Sequence, residues 1–221
     1  MDTMETLAVG SDAKFVGWPR AKNKEFMFWQ YLPIKLAGKT LVDYPCNLNW
    51  TASVVLTAMK DFSLNVGNLD EHYVYLTAKS LYVTPNNSGN RPGWHVDGFM
   101  TEDTNYIWTD KNPTEVWYPD GMLTNVSRDH NKSMKEMKSI VNTWSCYIKN
   151  LEVEALYRLD NKCLHRVSTD FKAGFRNFIK ISFSKEKYLG ESNSINYTLD
   201  YDWSEELVAR NKERNCPHGV K

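Results

Sequence analysis

The sequence predicts a mainly β protein, a sandwich or jelly roll with helices packed on one outer face. Three observations carry that expectation. Short runs of β-branched and aromatic residues recur along the chain, divided by Pro, Asn and Gly, while few stretches show helical spacing. The aromatic load, 8 Trp, 12 Tyr and 9 Phe, suits the walls of a packed β core. No repeat or low-complexity linker divides the 221 residues, so a single domain over 1–221 is expected, with its core at 75–185 and supporting strands and a helix in 1–74.

Taken in order, residues 24–36, KEFMFWQYLPIKL, read as early strand ending at the turn around Gly38. From Thr51 to Phe62, the residues Val54, Val55, Ala58, Met59 and Phe62 recur at helical spacing and predict a helix on a sheet. Residues 72–84 form one long strand or a bent pair, and PNNSGNRPG after them must be a loop. Three short strand-like runs follow: WHVDGF from Trp94, NYIW from Asn105 and TEVWY from Thr114. Residues 119–133 are polar and aperiodic, and the segment from Tyr118 to Ser133 is the candidate lid. Ser133 and Glu136 have capping-box spacing, and Met134, Met137, Ile140, Val141 and Trp144 then share a helical face. Strands are expected around 146–159 and 162–168, then in GFRNFIKISFS from Gly174. The tail over 204–221 has a brief helical signal and many charges, and is expected to be flexible.

Charge excludes several functions. With 27 Lys+Arg against 27 Asp+Glu, the chain lacks the net charge of a general nucleic-acid binder, a polybasic membrane binder or an acidic disordered segment. Cys46, Cys146, Cys163 and Cys216 never form a C-x-x-C, so neither a zinc knuckle nor a dithiol redox motif is expected, and a reducing compartment is. Acidic Asp2 and Glu5 precede a short apolar run, unlike a signal peptide, and ASVVLTAM from Ala52 is too short to span a bilayer. A cytoplasmic protein is the expectation.

The chemistry lies in three places. His95 and Asp97, one residue apart in a strand-like run, point to the same face, where an imidazole and a carboxylate could take adjacent positions on a divalent metal. Equally, they could be a histidine beside a solvated acid. In LDNKCLHRV, alternation puts Leu159, Cys163, His165 and Val167 on one face and turns His165 inward, as a ligand or a satisfied core histidine. In GFRNFIKISFS, Phe175, Ile179, Ile181 and Phe183 make an apolar face, opposite Arg176, Phe178, Lys180 and Ser182. That polar face either meets water or lines a pocket in which Arg176 holds a carboxylate.

Together these residues resemble the Fe(II)/2-oxoglutarate-dependent dioxygenases, whose pattern is H-x-D, a distal His, and Arg or Lys about ten residues on. Here that pattern is His95, Asp97, His165 and Arg176. RPGWHVDGF looks like the first metal strand of the taurine-dioxygenase and phytanoyl-CoA-hydroxylase-like branches, and LHRV with FRNFIKISFS like the last two core strands. The resemblance covers roughly 75–185 and implies a cupin-like double-stranded β-helix with Fe(II) between its sheets. It also implies 2-oxoglutarate and O2 as co-substrates, with oxidative decarboxylation coupled to hydroxylation of a small or macromolecule-borne substrate. Arg176 would anchor 2-oxoglutarate, with Lys180 as the alternative and Thr114 or Tyr82 as a supporting hydroxyl. Trp94, Trp108 and Trp117 are the candidate substrate contacts. Two other readings stay open: a cupin-like metalloenzyme without 2-oxoglutarate, and a jelly-roll binding module without catalysis.

Overall fold

Strand β11, Gly174–Ser184, serves a different layer with every second side chain. Ile179, Ile181 and Phe183 pack with Val54, Val55, Ala58 and Phe62 of helix α1, Ala52–Asn65, and the Phe62 and Phe183 rings stack at 4.2 Å. Burying a side chain such as Phe62 stabilises the fold by about 2 kcal/mol, which is why the apolar stripe of α1 settles on this face. Phe178 and Lys180, one residue out of phase, look the other way, into a pocket.

In the computed structural model, which describes residues 6–202, β11 lies inside a six-stranded antiparallel sheet. The other strands of this sheet are β2 (Lys14–Gly17), β3 (Met27–Lys35), β4 (Tyr73–Val83), β5 (Thr104–Thr109) and β9 (Leu156–Leu159), in the order β2-β9-β5-β11-β4-β3. A smaller sheet runs β10-β6-β8, from β6 (Thr114–Trp117), β8 (Ile148–Asn150) and β10 (His165–Val167). His95 extends it as an isolated antiparallel bridge to His165. From β4 onward the chain passes from the large sheet to the His95 bridge, back to β5, to β6 and β8, to β9, to β10 and to β11. This shuttling between facing antiparallel sheets is the strand path of a jelly roll. Ile107, Tyr157, Leu159 and Phe178 from the large sheet meet Val116 from the small one to make the inter-sheet core.

A separate pair, β1 (Thr6–Val9) with β7 (Thr124–Ser127), flanks the small sheet, and helix α2 (His130–Thr143) packs there through Met137 and Val141 against Trp94, Trp117 and Val126. Among the described residues, no helix is long and apolar enough to cross a membrane.

Several local expectations are corrected. Residues 118–133 are not a free lid, because β7 pairs with β1 in register from Thr6↔Ser127 to Val9↔Thr124, and α2 begins at His130. Ser133 is not the helix cap. Asp129 takes that role by accepting from the Lys132 N–H at 2.7 Å, while buried Ser133 donates its hydroxyl to the His130 carbonyl. WHVDGF forms only the His95 bridge rather than a strand. The expected tail, 204–221, lies outside the described residues.

Candidate metal centre

The bridge between His95 and His165 is a reciprocal pair of backbone hydrogen bonds, at 3.1 and 2.9 Å, and it sets the two imidazoles side by side with ring centroids 4.5 Å apart. Each Nδ1 faces a backbone carbonyl, of Gly93 at 2.8 Å for His95 and of Cys163 at 3.0 Å for His165. A carbonyl only accepts, so each Nδ1 carries a proton, which leaves Nε2 as the ring atom each histidine can offer a metal. Asp97, two residues beyond His95, brings its Oδ2 to 3.6 Å from the His165 Nε2.

One ligand atom from each of His95, Asp97 and His165 can be chosen so that all lie within 4.8 Å of one another. The electrostatics keep these groups ready to ligate. Burial, helped by the neighbouring His165 ring, lowers the His95 pKa to about 3, so its imidazole is neutral at physiological pH. Burial alone would raise the Asp97 carboxyl, but Lys180, His165 and His95 outweigh it and hold the group well below the usual carboxylate range. Two imidazoles and one carboxylate, with open space beside them, are a donor set that fits a divalent metal ion keeping sites for other ligands.

The cluster lies in a pocket between the two sheets, lined also by Thr114, Ile107, Val167, Phe178 and Lys180. Lys180 donates to Asp97 Oδ2 at 3.1 Å and to the Tyr31 hydroxyl at 3.0 Å. Arg176 is not among the lining residues. Four residues along β11 from Lys180 on the same strand face, it is only 3% exposed. Its guanidinium donates to the Thr109 hydroxyl at 3.1 Å and to the carbonyls of Lys111 (2.8 Å), Ser88 and Asn112 (both 3.4 Å). Among the described residues no carboxylate pairs with it.

Four expected contacts are corrected by where their side chains pack. Tyr82 lies on the same face of β4 as Ala78 and Leu76, turned away from the pocket, and is 62% exposed. Trp108 follows inward-facing Ile107 and packs under α1, whereas Trp94 and Trp117 pack with α2 behind the small sheet. All three tryptophans are core. Sequence reasoning missed Tyr31, Lys79 and Arg91, which line the pocket. Tyr31 arrives through an irregularity in the β3–β4 register between Trp29 and Leu32, where its own φ is 48°. Lys79 shares the inner face of β4 with Thr77, and Arg91 comes from the loop before His95.

The chain is similar to a solved 2OG-Fe(II) oxygenase. That structure, an oxidoreductase from Burkholderia pseudomallei, is 12% identical, with a TM-score of 0.38 over 88% of this chain and 77% of its own. EvdO2 from Micromonospora carbonacea var. aurantiaca is 12% identical with a TM-score of 0.39, covering 77% of this chain and 76% of its own. Its complex with 2-oxoglutarate matches at 11% identity and a TM-score of 0.38, over 76% of each chain. No protein-family model and no curated protein matches the sequence.

Proposed function

We propose that this protein is an Fe(II)- and 2-oxoglutarate-dependent oxygenase acting on an organic substrate. The observation that carries the reading is the His95, Asp97 and His165 cluster at the bridge between two facing sheets, opening on a pocket with cationic walls. Bound Fe(II) would supply dioxygen activation, with 2-oxoglutarate giving succinate and CO2 as one oxygen atom enters the substrate.

The chain's own residues have separable tasks. His95, Asp97 and His165 hold the metal, and their carbonyl-tethered Nδ1 atoms fix the ring planes. Lys180 answers the charge of Asp97 and orients its carboxylate. Arg176 is the proposed anchor for the far carboxylate of 2-oxoglutarate, because among the described residues no carboxylate lies within ion-pair distance of it, Asp110 acting only from farther off, whereas Lys180 is already paired with Asp97. Thr114 supplies a hydroxyl from the facing sheet. Apolar Ile107, Val167 and Phe178 keep water from the space between them.

Anaerobic titration with Fe(II) and 2-oxoglutarate tests this directly. A metal-to-oxoglutarate charge-transfer band should appear, and succinate should form on admitting air. Metal binding without that band points instead to a metalloenzyme that does not use 2-oxoglutarate. Arg176→Ala should weaken 2-oxoglutarate and leave the metal bound; loss of metal would show that Arg176 has been assigned the wrong role.

A further inference from the structure

Among the described residues, one cationic side chain of the pocket is distinguished by having no protein partner. Lys180 pairs with Asp97, and Arg166 donates to Glu115 Oε2 at 2.6 Å while lying over the Trp94 ring. Lys79 donates to the Gly89 carbonyl at 2.9 Å and sits over the Phe28 ring. Arg176 is reserved for the co-substrate. Arg91 remains: it lines the same pocket as His95, is half-buried, and makes no hydrogen bond or ion pair among the described residues.

Arg91 is half-buried, so water can solvate its charge in the empty pocket, and an anionic ligand can take that water's place without breaking an existing ion pair. Iron would make the pocket more positive, and the two carboxylates of 2-oxoglutarate are accounted for by the metal and by Arg176. Resting on the oxygenase reading above, we propose that the primary substrate is a small organic anion whose carboxylate, or an equivalent sulfonate or phosphate, is gripped by Arg91 beside the His95, Asp97 and His165 cluster. The guanidinium fork suits all three groups, and Gln30 and Tyr31, which also line the pocket, offer polar contacts to the rest of the molecule.

The test uses the whole chain, first metal-free and then loaded with Mn(II) and saturating 2-oxoglutarate. Butanoate, butanesulfonate and butyl phosphate are titrated against neutral butanamide by calorimetry, and Mn(II)-induced relaxation of the probe protons reports nearness to the metal. At least one anion should bind and relax while butanamide does neither, and the order among the three identifies the headgroup. Arg91→Gln should weaken that anion by about tenfold or more, the scale of one charge-assisted hydrogen-bonded pair, with Arg91→Lys between. The 2-oxoglutarate affinity should stay unchanged. Equal binding of anion and amide, or an Arg91→Gln variant that binds the anion normally, overturns the proposal. So does a variant that loses 2-oxoglutarate instead, because Arg91 would then be the co-substrate anchor. Arg91-dependent anion binding by a wild-type chain that takes no 2-oxoglutarate would keep the anion site and sink the oxygenase reading.

Discussion

Replacing Lys180 by Met should make the metal-free protein markedly weaker and the metal-loaded protein comparatively strong. The Lys180 ammonium lies 3.1 Å from Asp97 Oδ2, with the two side chains 10% and 20% exposed. At an effective dielectric constant of about 20, two unit charges at that distance attract by roughly 5 kcal/mol, and removing one member of a buried pair typically costs about 3–5 kcal/mol. Methionine keeps most of the apolar stem, so packing changes little. Taking about 3 kcal/mol, a chain of this size should melt roughly 6–12 °C lower in chelator. A divalent cation then replaces the lost partner of Asp97. In the wild type the same ion must enter beside an ammonium, so Mn(II) should raise the melting temperature more in Lys180→Met than in the parent. Thermal unfolding by circular dichroism, in chelator and in Mn(II), reads both effects. If the metal-free variant melts with the wild type, or if Mn(II) stabilises both equally, Lys180 does not hold the charge of Asp97 in the way the geometry shows.

The parts of this molecule that were legible in the sequence are those whose pattern is local and long. GFRNFIKISFS became β11 because eleven residues of alternation leave one register that buries Ile179, Ile181 and Phe183. Helix α1 followed from its apolar stripe, and alternation around His165 turned that ring inward, where His95 meets it. What could not be read depends on partners distant in sequence. Four-residue β1 and β7 are short, and each is specified by the other across more than a hundred positions. Tyr31 reaches Lys180 only because the register of β3 slips there, which no periodicity announces. Trp108 differs, because its placement was implicit: if Ile107 faces the pocket from β5, its immediate neighbour cannot. Arg91 illustrates the opposite limit. It lies in a loop of Pro, Asn and Gly, where backbone geometry rather than pattern decides what a side chain meets.

Other perturbations separate the site from its scaffold. His165→Gln should abolish stoichiometric Mn(II) binding, measured by calorimetry, while the chain stays folded, since the amide can keep a hydrogen bond but is a poor replacement for imidazole. Tyr106→Phe removes a 2.7 Å hydrogen bond to Asp61 Oδ2, which also takes Arg158 Nη1 at 2.7 Å and so ties α1 to β5 and β9. About 1 kcal/mol of stability should be lost in urea unfolding, with Mn(II) affinity unchanged. The Glu115 carboxylate accepts from Arg166, from the Ser168 hydroxyl at 3.0 Å and from the Thr169 N–H at 3.1 Å. Burial would raise its pKa, but Arg166 and these donors prevail and hold it below its ordinary 4.5. The unfolded chain therefore takes up this proton first as pH falls. The resulting stability is complete above the unfolded pKa and disappears as pH drops through the folded one. Glu115→Gln should accordingly be destabilised at pH 7 and converge on the wild type in acid. A stability gap that stays constant across the titration would mean that the carboxylate's charge contributes nothing there, and that Glu115 acts on β6 and β10 through shape alone.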